Sequence, residues 1–297
     1  MNYKSLGSIS LSFLLLFGMF SCGPNNTEEK QESSDEFEQA ETDLKDQIQE
    51  VIYEIPSPSE IPSLLERTGA EYNEAMVNDE AKADQYLTKN EQAALNLGVY
   101  ASDIGYLISY DKVQEALTYM NAAKKLADNL GITGSFNAEL INRFEENISN
   151  KDSLNALLNE TLAETDDYLK DNDRNKMAAM VIAGSFVEGL YISTALIDTY
   201  PKDLLPEDKR ILILTPLMRV VADQKNSLSE VIKMLETVEK SSTTDELITK
   251  LKDLKKDYET LNIDEQIKNN RADLVLSDES LNNITTKTAE IRASIVN

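Results

Sequence analysis

Two apolar runs constrain this chain more than any other feature. "LNLGVYASDIGYLISY" (residues 95–110) and "AAMVIAGSFVEGLYISTALI" (178–197) each carry one acid, Asp103 and Glu188 respectively. Runs of this length, apolar on every side, make helices of about four to six turns that belong inside a protein or a bilayer. The second is long enough to span a membrane, but an ionisable group at its middle is costly in lipid. Both are therefore expected as interior helices of a bundle. In such an interior an isolated carboxylate is strongly penalised, so each acid must meet a polar partner.

On a helical wheel Ala94, Gly98, Ala101 and Gly105 fall on one narrow stripe of small residues, which lets a neighbouring helix approach closely. Asp103 lies on the opposite side with Asn96 and Tyr110, flanked by Tyr100 and Tyr106. In the second run Ala178, Ser185 and Gly189 form a comparable stripe interrupted by Ile182, with Glu188 about a quarter turn aside. The two acids thus occupy different faces, which argues against a matched catalytic pair.

Helix signals dominate the rest. Phe37, Ala40, Leu44, Ile48, Val51 and Ile55 recur at three- and four-residue steps, marking an amphipathic helix over 35–55. Ser57-Pro58-Ser59-Glu60 fits a capping box closed by a stop at Gly69. Thr88-Lys89-Asn90-Glu91 is a second box, opening a helix over 89–110. Asp111 is placed to cap the next helix, which ends in a Schellman-like stop at Leu130-Gly131-Ile132. "SFNAELINRFEENI" makes a shorter helix, Asp152 caps 153–171, and Asp173 caps 174–198. After the turn bracketed by Pro201 and Pro206, a long helix runs to about 239, bent near Pro216. Helices over 244–260 and 278–295 close the chain, the last with Leu281, Ile284, Ile291 and Ile295 on one face. No strand alternation or tight hairpin dipeptide stands out. The expected fold is all-α: a multi-helix bundle over 56–297, with two diverged halves split near 172 as the variant organisation. A shift of 85 residues pairs Asp103 with Glu188 and Tyr106 with Tyr191, while a shift of 84 pairs Gly105 with Gly189; neither register prevails.

The N-terminus reads as an address. Lys4 and the apolar stretch Ile9 to Phe20 lead to Ser21-Cys22, the chain's single cysteine. Residues 1–21 are expected to be a lipoprotein signal peptide, Cys22 the lipidated first residue of the mature chain, and the polar 22–34 a disordered tether. Removing 1–21 takes away Lys4 and no acid, leaving 28 basic against 53 acidic residues, net charge −25. Such a polyanion is a poor partner for nucleic acid, and its acids read as solvated helix faces. With no histidine, imidazole triads and imidazole metal ligands are excluded; with Cys22 lipidated, so are thiol catalysis, disulfides and thiolate zinc sites.

Carboxylates, tyrosines, serines and lysines remain for chemistry. Asp171-x-Asp173-x-Asn175 imitates a calcium loop, but Lys176 and Ile182 stand where its Gly and final Glu belong, so no metal, cofactor or catalytic residue is assigned. A tyrosine-lined ligand pocket built from Asp103, Tyr106, Tyr110, Glu188 and Tyr191 is the functional reading of the apolar runs. Acids hydrogen-bonded to tyrosine hydroxyls, or lying at a partly wet edge, are the architectural reading, and the favoured one.

"IPSPSEIPSLLERTGAEYN", "ALNLGVYASDIGYL", "FEENISNKDSL" and "VEGLYI" together resemble a family of uncharacterised Bacteroidota lipoproteins, over about 50–195. The resemblance implies an envelope location and a helical domain, without an established activity. Asp152-Ser153-Leu154 likewise resembles the three-residue O-glycosylation motif of envelope proteins from this phylum. In such organisms an acidic stretch soon after the lipidated Cys directs surface display; here the first acids, Glu28 and Glu29, come late, favouring the periplasmic face of the outer membrane. The expected role is a non-enzymatic binding or scaffolding component, held to the membrane through Cys22 and meeting an envelope protein partner. A ligand receptor or carboxylate hydrolase using Asp103 and Glu188 is the alternative.

Overall fold

A computed structural model describes residues 71–132, 138–147, 149–171, 174–201, 206–261 and 279–297. The signal, tether, 35–55 helix and Ser57–Gly69 readings, and Asp173, lie outside the described residues. Among the described residues there are nine α-helices and no strand, so the fold is all-α. After short 3-10 turns at Glu74–Met76 and Glu80–Lys82 come α1 (Ala83–Tyr86), α2 (Asn90–Ser109), α3 (Val113–Asn129), α4 (Ala138–Glu146) and α5 (Lys151–Asp171). They are followed by α6 (Asn175–Thr199), α7 (Glu207–Thr237), α8 (Ser242–Thr260) and α9 (Glu279–Val296).

The two apolar runs become α2 and α6, and these form the centre. Every residue of α2 from Ala93 to Ser109 is buried. α6 is apolar enough to cross a bilayer, with mean hydropathy 1.7, yet 78% of that window is buried by its neighbours. α3, α5 and α9 flank α2; α5, α7 and α9 flank α6; α8 packs on α7 and α9. Helices before and after residue 172 thus share one core.

α2 and α6 touch backbone to backbone. A Cβ on Gly98 would lie 2.0 Å from Val181 O, and one on Gly184 would lie 2.0 Å from Leu95 O. Beside this crossing, the Ser102 hydroxyl meets the Ser185 carbonyl and hydroxyl, each at 3.0 Å. The close approach therefore runs through Gly98 and Gly184; of the expected α6 stripe of Ala178, Ser185 and Gly189, Ser185 stands at the crossing, and Gly184 lies outside that stripe. Contacts advance together along both helices, from Glu91 with Lys176 through Gly98 with Ser185 to Asp103 with Glu188. The pair consequently runs parallel, and its first and last contacts have the 85-residue offset seen in the sequence.

Helix ends depart from several expectations. No side chain caps α2: Glu91, assigned to a capping box with Thr88, instead pairs with Lys176 and accepts hydrogen bonds from Thr243 and Ser241. Asp111 is not an N-cap. It sits at φ 59 just past α2, where its N–H bonds to Ile108 O and Lys112 N–H to Leu107 O, a Schellman closure on a non-glycine residue. Its carboxylate pairs with Lys151 at 2.9 Å. Asn150, rather than Asp152, caps α5 by accepting the Ser153 N–H. The Gly131 stop forms as expected, with Ile132 N–H on Ala127 O and Gly131 N–H on Asp128 O. α7 continues through Pro216, and α8 starts on a capping box between Ser241 and Thr244, ahead of the expected 244.

Candidate functional site

The polar side of α2 holds an irregular strap. Asn96, Tyr100, Asp103 and Tyr106 follow one another at steps of four, three and three residues, so they share a face. Residues 73–82 run along that face in the opposite direction: the Tyr106 hydroxyl accepts the Asn73 N–H at 3.0 Å, Asp103 Oδ2 accepts the Asn78 N–H at 3.1 Å, and the Tyr100 hydroxyl donates to Asp79 O at 2.9 Å. Backbone groups buried outside regular structure need partners, and these α2 side chains supply them.

The C-terminal helix closes the same side. Asn96 Nδ2 donates to Ile295 O at 3.0 Å, and Lys82 Nζ donates to Val296 O at 3.2 Å. Asn78 Nδ2 donates to the Tyr86 hydroxyl, which donates to Val296 O at 2.9 Å. The carbonyls that a helix leaves unpaired at its C-terminus are thus capped, with an ammonium where the helix dipole favours one.

Asp103 and Glu188 meet at the centre of this arrangement. Both are fully buried, and their carboxyl groups lie within hydrogen-bonding reach of each other. Arg292 reaches in from α9. Its Nε lies 2.8 Å from Glu188 Oε2 and its Nη2 2.8 Å from Oε1, a two-pronged grip, while Nη2 also approaches Met76 O at 3.4 Å. The Tyr191 ring lies 4.3 Å from the guanidinium carbon, within cation–π range. Burial and then the neighbouring Glu188 charge push the Asp103 carboxyl well above the usual carboxylate range, with Arg292 opposing. Burial also raises Glu188, but the Arg292 charge and hydrogen bonds pull it back. Burial works against the Arg292 cation, yet Glu188 holds it above its ordinary value. One guanidinium thus faces two buried acids, and it is bonded to Glu188 rather than to Asp103.

The structure brings together three of the five residues in the expected pocket: Asp103, Glu188 and Tyr191. Tyr106 and Tyr110 turn to a separate aromatic cluster with Tyr72, at centroid distances of 5.7 Å (Tyr72–Tyr106) and 4.9 Å (Tyr106–Tyr110), with the Lys112 ammonium over Tyr72. Asp103 and Glu188, expected on different faces, nevertheless meet, because they lie on adjacent flanks of the α2–α6 crossing. Nor is Asp103 at a wet edge: it is enclosed by the strap and α9. Arg292 and Asn78 escaped sequence reasoning. Arg292 carried a usable signal, since it follows Ile284 and Thr288 at four-residue steps on the apolar face of α9.

Among the described residues no cluster of three or more acids or other metal-binding side chains could hold a metal ion. The arrangement neutralises buried charge and ties α2, α6, α9 and the strap together. Both oxygens of the buried Glu188 carboxyl are engaged by Arg292. No protein-family model matches the chain, and searches of curated proteins and of solved structures likewise return no match.

Proposed function

We propose that this is a lipid-anchored cell-envelope protein whose helical domain binds or scaffolds a partner and catalyses no reaction. The observation that carries the non-enzymatic part is the occlusion of Asp103 and Glu188, the acids best suited to hydrolysis, under Arg292. The anchor rests on the sequence: the apolar segment ending at Cys22 and the lack of any other cysteine. The late acids after Cys22 favour the periplasmic face of the outer membrane, and the net negative charge directs the search for partners to proteins.

Two measurements test the reading. Cys22→Ala is expected to move the full chain from the membrane to the soluble fraction, and continued retention refutes the anchor. Wild type extracted from membranes is expected to co-purify with an envelope protein, and Asp103→Asn is expected to keep that partner. Loss of the partner by Asp103→Asn with the melting temperature intact would instead make the acid pair a ligand site.

A further inference from the structure

We propose that Asp103, Glu188 and Arg292 form a proton-linked latch, which holds the C-terminal helix α9 on the α2–α6 core and loosens as the medium turns alkaline. The geometry needs a proton. Asp103 Oδ1 is buried and receives no N–H or O–H donor, while its neighbour is a carboxylate already committed to Arg292. Two bare carboxylates against one guanidinium would leave an uncompensated charge in the core, whereas a proton on Asp103 turns repulsion into a hydrogen bond to Glu188.

The surroundings make Asp103 the group that responds. α6 contributes Glu188 and α9 contributes Arg292. The strap contributes the Asn78 N–H, with Asp79 further along it. Tyr72, Tyr86 of α1, Tyr100 of α2 and Tyr119 of α3 all feel the Asp103 charge, and burial pushes each phenol up, Tyr72 to about 12. α5 offers leucines and Thr161 near Ile104. Burial keeps these phenols neutral and Glu188 keeps Arg292 charged as the medium turns alkaline, so the proton that responds is the one held by the buried Asp103–Glu188 pair.

The sign follows from the raised carboxyl. Below about pH 4 Asp103 is protonated in the folded and the unfolded chain alike. Above that the unfolded chain gains by ionising, while the fold retains the proton until its own higher value is passed. Asp103 therefore stabilises the fold at low pH, and that contribution drains away as pH rises. The lost grip falls on Arg292 and hence on the end of α9, whose last carbonyls are capped by Asn96, Lys82 and Tyr86.

Asp103→Asn is the deciding variant, because its amide can donate to Glu188 and accept from the Asn78 N–H without ionising. Melting temperatures of the wild-type and variant mature chains are to be followed between pH 5.5 and 8.5, with amide exchange over residues 293–296 at each pH. Relative to Asp103→Asn, the wild type is expected to lose about 3–5 °C per pH unit until Asp103 ionises. Its α9 terminus is expected to exchange progressively faster than the variant's over the same range. Parallel melting curves, or exchange rates with a constant ratio, would overturn the latch. Should the variant not fold, infrared spectra of the wild type decide: a protonated-carboxyl C=O band at neutral pH that disappears towards alkaline pH is expected, and its absence refutes the proposal.

Discussion

At position 188 a carboxylate sits wholly out of water with a guanidinium bonded to both its oxygens, while at position 103 the neighbouring acid accepts a backbone N–H and no cation. Removing charge at the two positions therefore has opposite consequences. Glu188→Gln strands the Arg292 cation and is expected to cost about 3–5 kcal/mol, whereas Asp103→Asn keeps its contacts and leaves neutral-pH stability equal or higher. Urea unfolding of both variants checks this, and equal losses would contradict the charge assignment. Pairing Glu188→Gln with Arg292→Met should be less damaging than Glu188→Gln alone, since neither charge is then stranded. The sequence showed that each acid needed a partner, and the Tyr191 ring lies against the guanidinium that supplies it for Glu188. It did not show Arg292, because the charge-bearing position lies 104 residues further along the chain.

At the scale of elements, the α2–α6 crossing depends on two hydrogen atoms where any other residue has carbon. Alanine at Gly98 or Gly184 gains about 1 kcal/mol of helix propensity but must displace a carbonyl of the facing helix. Each substitution is expected to lower stability by about 1–3 kcal/mol, the range for overpacking, measured by thermal or urea unfolding. A gain in stability would mean that the helices are not in backbone contact. Gly131→Ala should cost about 1–2 kcal/mol for a different reason, the φ of +71° at the Schellman turn. The α2 stripe through Gly98 and the Gly131 stop were legible because they follow from local chemistry and helical spacing, whereas Gly184 lay outside the stripe expected on α6. The failed caps at Thr88 and Asp111 had equally good local signals. Tertiary demands overrode them: Glu91 was drawn to Lys176, and α2 closed through Asp111 itself.

For the whole molecule, a net charge of −24 means that the fold works against its own repulsion. Raising salt from about 20 mM to about 500 mM shortens the Debye length severalfold and is expected to raise the melting temperature by a few degrees. The loss caused by Glu188→Gln should persist across that range, because a buried pair is screened little. Collapse of that loss at high salt would place the pair in solvent. Surface pairs such as Lys124–Asp128 and Arg143–Glu160 contribute little either way.

Composition and periodicity by themselves determined that this chain is helical, that its two apolar runs lie inside, and that without histidine it has no imidazole chemistry. Those properties follow from residue type and short-range spacing. Only the tertiary structure decided that α2 and α6 run parallel through Gly98 and Gly184, and that their acids meet under an arginine from α9. It also revealed the strap of residues 73–82 on the polar face of α2. The physical reason is that a buried charge specifies only that compensation must exist. Which distant segment supplies it depends on how the helices stack, and that is a property of the packed core.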